Sequence, residues 1–159
     1  QPALDFYKYY LGPLPPSSEY PLAVYEPSGE LAYMRAPSGI CDPEVGSITF
    51  FGDIPEGATI QITETSRDKI LAASQTSMEQ ALQNYPGESP AAALLFSCAS
   101  RRQILGSRTS EEYQLIEAES SQTFPSCGFY TNGEIAPLEQ KGSTYFHNET
   151  FITVLLGDA

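Results

Sequence analysis

The sequence predicts an α+β domain, a mainly antiparallel β-sheet with one long helix and one or two shorter helices packed against it. Three observations point there. Strand-like patterns occupy residues 20 to 65, and the hydrophobic period changes to that of a helix at Thr65. The strand-like segments are short and joined by tight turns, which favours antiparallel neighbours. The chain has 159 residues, 41% of them hydrophobic, which is enough for a core without disulfide or metal staples.

The elements follow in order. Leu4, Tyr7, Tyr10 and Leu11 share one helical face, and Gly12-Pro13 with Pro15-Pro16 ends that short helix in a surface turn. Tyr20–Tyr25 and Glu30–Met34 are rich in aromatic and aliphatic residues around Pro27-Ser28-Gly29, the pattern of a hairpin. Ile48–Phe51 and Thr59–Thr65 are further strands, the second alternating Ile60 and Ile62 with polar residues. Ile70, Leu71, Ser74, Met78, Ala81, Leu82 and Tyr85 then fall at helical spacing. Thr65-Ser66-Arg67-Asp68 supplies a capping start and Pro86-Gly87 a stop, giving a helix of roughly four to five turns.

Ala91–Ser97 is a continuous apolar run, which suits a strand buried on both faces. Cys98–Ile104 reads as a turn or short helix, and Thr109-Ser110-Glu111-Glu112 as a capping box opening a helix toward Glu119. Gly128–Tyr130 and Gly133–Ile135 flank Asn132-Gly133, a type I′ hairpin signal. Tyr145–Leu156 is apolar on both faces and is expected at the centre of a sheet. No 20–50-residue repeat is visible. The expectation is a single domain over residues 1–159, with 1–18 a helix and turn and 20–156 the core, excised from a larger protein.

Charge and cysteine content narrow the function. Twenty Asp and Glu oppose eight Lys and Arg, a formal net charge of −12. That field repels phosphate backbones and anionic lipids, so no nucleic-acid partner and no membrane insertion are expected. The apolar runs are far too short for a membrane-crossing helix. Cys41, Cys98 and Cys127 are odd in number and lack CxxC spacing, which argues against a disulfide scaffold and a structural zinc site. Reduced thiols and a cytoplasmic location are the simplest account.

Three segments carry candidate chemistry. In Phe96-Ser97-Cys98-Ala99-Ser100-Arg101-Arg102 an apolar strand ends in small residues followed by arginines, a common place for ligand groups. Cys98 is there either a small buried hydrophobe or a thiol activated by Arg101. Around the Asn132-Gly133 turn, Tyr130 and Glu134 come near each other, at a pocket mouth or in a plain solvated hairpin. His147, the sole histidine, precedes the last strand beside Asn148, as a structural residue or a ligand contact. Read as an enzyme, these residues would be Cys98 as nucleophile, His147 as base and Glu134 or Asn148 as orienter. No cysteine-protease signature surrounds Cys98, and no phosphate loop, dinucleotide fingerprint or HExxH is present.

These segments resemble the C-terminal half of the FIST sensory domain. The shared pieces are the Phe96–Arg101 strand end, Gly128-Phe129-Tyr130-Thr131-Asn132-Gly133-Glu134-Ile135, Phe146-His147-Asn148, and Gly52–Gly57 followed by Ile60-Gln61-Ile62. The resemblance runs from about Tyr20 to Leu156. It implies an intracellular input module that binds a small ligand, with amino acids suggested. It also implies as partners a FIST N-terminal half and a signalling output domain. No cofactor is expected, although haem-binding members make a haem on His147 an alternative. The ligand-binding set is then Cys98, Arg101, Tyr130, Asn132, Glu134, His147 and Asn148. In a zwitterion-binding arrangement Arg101 would take a carboxylate and Glu134 an ammonium. The competing classes are the cysteine-dependent hydrolase and a protein-interaction platform of the F-box kind.

Overall fold

A computed structural model of the chain describes residues 2–119, 124–138 and 142–158. Helix α1 (Ala3–Leu11) leads into strands β1 (Leu22–Tyr25) and β2 (Leu31–Arg35), the expected hairpin. Strands β3 (Pro37–Asp42) and β4 (Ser47–Phe50) form a second, antiparallel hairpin. Strand β5 (Thr59–Ile62) returns to pair with β1 and completes a sheet of order β2-β1-β5. The sequence pattern misses β3. Its Pro37-Ser38-Gly39 start breaks the alternation, and its pairing skips between Pro37 and Cys41.

Helix α2 (Arg67–Gln83) is the long amphipathic helix, and its Ser66 cap accepts from the Lys69 N–H. Ile70, Leu71, Ser74 and Met78 are its buried face. Strand β6 (Ala92–Cys98) follows, then helix α3 (Ala99–Leu105), a 3₁₀ turn and helix α4 (Thr109–Glu119). Strand β7 (Ser126–Thr131) lies parallel to β6. Strands β8 (Glu134–Pro137) and β9 (Thr144–His147) pair with each other, and β10 (Phe151–Leu156) runs antiparallel along the other edge of β6. The α+β class and the predominance of antiparallel pairing hold, with β6–β7 the parallel exception.

Two core clusters fix the helices to the sheets. Met78, Ala93, Leu95 and Ile116 join α2, β6 and α4, with Phe151 and Leu155 of β10 packed against them. Ile70, Leu71, Ile104 and Leu105 join α2 to α3. Arg35 bridges the first sheet to β9. Its guanidinium donates to the Asp53, Met34 and Phe146 carbonyls at 2.8–3.0 Å and stacks 3.9 Å from the Tyr33 ring centroid. Every hydrogen bond it makes there satisfies backbone, so this buried cation is structural.

Three local expectations change. The Asn132-Gly133 signal does not make a hairpin, because β7 pairs with β6 while β8 pairs with β9. Gly133 (φ 148°) carries the chain between sheets where a Cβ would strike the Phe146 ring. Residues 145–156 are not one central strand. They divide into β9 and β10 at Asn148-Glu149-Thr150, and the central strand of that sheet is β6. Thr109 and Glu112 do not form a capping box. The Thr109 hydroxyl donates back to the Gly106 carbonyl, and Glu112 turns into the core.

Candidate functional site

Strand alternation sorts the candidate residues onto two faces. Ser97 and Tyr130 are register partners on β6 and β7, and Cys98 and Thr131 are the next pair. Successive side chains point to opposite faces, so Ser97 with Tyr130 and Cys98 with Thr131 fall on different sides.

On the Ser97 side lies a buried polar network. Arg101 is 2% exposed and Glu112 4%. The Arg101 Nη2 donates to Glu112 Oε1 at 2.7 Å, to Ser74 Oγ at 2.6 Å and to the Ile70 carbonyl at 2.8 Å. Its Nε donates to Glu112 Oε1 and to Ser97 Oγ. Ser97 and Tyr130 hydroxyls both donate to Glu112 Oε2, at 3.0 and 2.8 Å. Burial and the adjoining carboxylate keep the Tyr130 phenol protonated far above neutral pH. This cluster joins α2, α3, α4, β6 and β7. A charge removed from water is tolerated there because its partner is adjacent and the remaining lone pairs are filled.

On the other side, Glu134 accepts from the Thr131 hydroxyl and from the Thr150 hydroxyl at 2.6 Å. Burial raises its carboxyl above the ordinary value, and the two hydroxyls work against that. Cys98 is buried with its thiol 3.7 Å from Ser100 Oγ, and burial pushes the thiol up. The Asn148 amide is engaged by backbone. Its Oδ1 accepts from the Ala36 N–H and its Nδ2 donates to the His147 carbonyl, holding β9 against β2. Asn132 is exposed in the turn after β7.

Between α2 and the β8–β10 segment lies a cavity of about 580 Å³, with Arg101, His147, Glu149, Thr150 and Phe151 in its wall. Arg101 sits 5.4 Å from the Phe151 ring centroid. His147, cross-strand partner of Glu134, is 1% exposed. Its Nε2 lies 2.9 Å from the Ala136 carbonyl, so Nε2 carries the proton. Burial lowers the ring's pKa, leaving a neutral imidazole with a lone pair on Nδ1. Among the described residues, the buried side-chain N and O atoms without a hydrogen-bond partner are His147 Nδ1 and Glu149 Oε1.

Glu149 is the other unusual residue. Its φ of 61° is the one left-handed non-glycine backbone among the described residues. That conformation costs an L-residue roughly 1 kcal/mol. Burial pushes its carboxyl up to about 8, against a weaker pull from Arg101. Strain and an unsatisfied carboxyl together mark a position held by something other than local stability. A second hollow of about 430 Å³, between α4 and β7, has Glu112 and Tyr130 in its wall, but both are already fully engaged.

Thus Arg101 and His147 reach one cavity, Glu134 backs it through Thr150, and Tyr130 belongs to the network behind Arg101. The carboxylate paired with Arg101 is Glu112, which sequence reading assigned to a cap. The signal was its place four residues before Ile116 on the buried helical face. Glu149 gave no signal, because nothing local in Asn148-Glu149-Thr150 foretells a left-handed turn. A haem does not fit these residues: the only imidazole is 1% exposed, which leaves its bare Nδ1 no room for a macrocycle, and its Nε2 is spent on a carbonyl. Among the described residues no cluster of three His, Cys, Asp or Glu could hold a metal ion, and no helix is long and apolar enough to cross a membrane.

The geometry is that of an α+β domain with a cavity between α2 and the β8–β10 segment, walled by polar and apolar side chains together. A family model described as the FIST C domain matches residues 3–137, and the chain belongs to that family of sensory, signal-transduction domains. The match begins earlier than the residue-level resemblance and ends before β9, so the His147–Thr150 turn lies beyond it. Comparison with curated proteins and with solved structures found no match.

Proposed function

We propose that this domain is a sensory input module that holds a small polar ligand in the cavity beside Arg101, His147 and Glu149. One observation carries the reading: two buried, partnerless acceptor atoms belong to residues of one cavity wall. Folded proteins pair nearly all such atoms, and exceptions mark places where something else binds. An amino acid, the class suggested by the family resemblance, would direct its ammonium to His147 and Glu149. Binding would be read by the β9–β10 turn and passed to an N-terminal partner half and an output domain in the cytoplasm. The raised Cys98 thiol favours this reading over a cysteine hydrolase, because a thiol held protonated is a poor nucleophile.

The test is a thermal-shift screen with the twenty amino acids and small amines. A ligand that binds only the folded state at a hundred times its Kd adds about 2.7 kcal/mol. Selective stabilisation, lost in Glu149→Gln, is the expected result. No stabilisation by any compound, together with tight capture of a protein partner, would instead establish an interaction platform.

A further inference from the structure

The cavity wall holds two unpartnered acceptors and one arginine that is already ion-paired. Arg101 is ion-paired to Glu112 at 2.7 Å, and its Nε and Nη2 are occupied by Glu112, Ser74, Ser97 and the Ile70 carbonyl. Glu112 therefore already balances the Arg101 charge before a ligand arrives, and Nη1 alone lies outside these bonds. Glu134 is satisfied by two threonine hydroxyls. What remains is Glu149 Oε1 and the Nδ1 lone pair of His147, buried atoms of the cavity-wall residues that no protein group satisfies.

Resting on the small-ligand reading above, we propose that the group recognised here is a primary ammonium, seated on Glu149 and His147, and that a ligand carboxylate is not required. An ammonium has three N–H donors and one positive charge, and it meets two acceptors and one titratable carboxyl. A carboxylate would instead face Glu149 and an arginine already matched by Glu112. Phe151, Ile152 and Leu138 in the same wall suit an apolar tail on the amine.

The proposal carries a proton count. Glu149 is surrounded by Arg101 of α3, Cys98 at the end of β6, Tyr7 of α1, His147 of β9, and Glu64 after β5, with Glu134 of β8 close to Cys98. Its carboxyl, lifted to about 8 by burial, holds a proton at neutral pH. Seating an alkylammonium forms the ammonium–carboxylate pair and releases that proton to solvent. Affinity for an amine then falls about tenfold for each pH unit below about 8.

The test is calorimetry with compounds of one skeleton and different heads: butylamine, butanol, butyrate and 2-aminobutyrate, and the phenethylamine series alongside. The expected result is binding of the amines, with the alcohols at least tenfold weaker. The amine's affinity is expected to rise about fiftyfold from pH 6 to pH 8, and that dependence to vanish in Glu149→Gln. Amino acids or carboxylates that bind while their amines do not would overturn the ammonium seat but leave the cavity a ligand site. Binding by none of the compounds, with no change in folding stability, would overturn both. Should Glu149→Gln not fold, the wild-type pH profile decides: a flat profile from pH 6 to pH 8 rejects the proposal.

Discussion

Replacing Glu149 with glutamine keeps the side chain's shape and deletes its titration. The folded chain holds the Glu149 proton up to about pH 8, whereas an unfolded chain releases it near the ordinary 4.5. A folded-state pKa raised in this way makes the group's contribution most favourable below the unfolded value. That contribution is lost as pH rises through the folded value, and is constant above it. Each pH unit in the window is worth ~1.4 kcal/mol, so the full span is at most ~5 kcal/mol, and relaxation around the ionised carboxyl brings it to roughly 2–5 kcal/mol. The assay is urea unfolding of both proteins, followed by circular dichroism, at intervals from about pH 5 to about pH 9. The expected outcome is that the two agree near pH 5 and that the glutamine variant becomes the more stable by those few kcal/mol above pH 8. Subtracting the curves removes the other carboxylates, which are common to both. Curves that stay parallel throughout would show that Glu149 is not a buried, proton-holding carboxyl, and would refute the electrostatic reasoning at this turn.

Further outcomes follow from the same packing. Glu112→Gln leaves the Arg101 guanidinium buried without its counter-charge, and the expected loss is about 3–5 kcal/mol by chemical denaturation. Gly128→Ala puts a Cβ into the Leu95 carbonyl oxygen of the neighbouring strand, and the expected cost is ~1–3 kcal/mol or more, read as a drop in unfolding midpoint. Alkylation followed by mass spectrometry near neutral pH is expected to label exposed Cys127 first and buried Cys98 last. Rapid labelling of Cys98 that depends on His147 would revive the hydrolase reading. Near pH 5, where the carboxyl is protonated in the folded chain, Glu149→Gly should relieve the left-handed strain and stabilise the fold by about 1 kcal/mol in urea unfolding, and at about pH 8 calorimetry should show amine binding lost.

The elements that were legible in the sequence are those whose pattern is local. The α2 stripe, the β1–β2 hairpin and the apolar β6 run each carry their period within one segment. The failures are places where tertiary pairing outweighed a local signal. Asn132-Gly133 looks like a hairpin, yet β7 finds its partner in β6, more than thirty residues away, and β8 finds its own in β9. The candidate site divides along the same line. Arg101 and His147 stood out because arginine at a strand end and a lone histidine are conspicuous residue types. Glu112 and Glu149 did not, since a carboxylate in so acidic a chain is unremarkable until the fold buries it. The pairing of Arg101 with Glu112 instead of Glu134 follows from the side of β6 each occupies, and strand alternation assigns that side only once the register is known.

Because His147 is the only histidine, its ¹⁵N resonances can be read without ambiguity by NMR. The measurement is the two ring-nitrogen shifts at neutral pH, with and without saturating phenethylamine. The account predicts a neutral ring protonated at Nε2, with a bare Nδ1 whose resonance moves when the amine binds. An imidazolium at neutral pH, a proton already on Nδ1, or an Nδ1 resonance indifferent to an amine that calorimetry shows to be bound would contradict it.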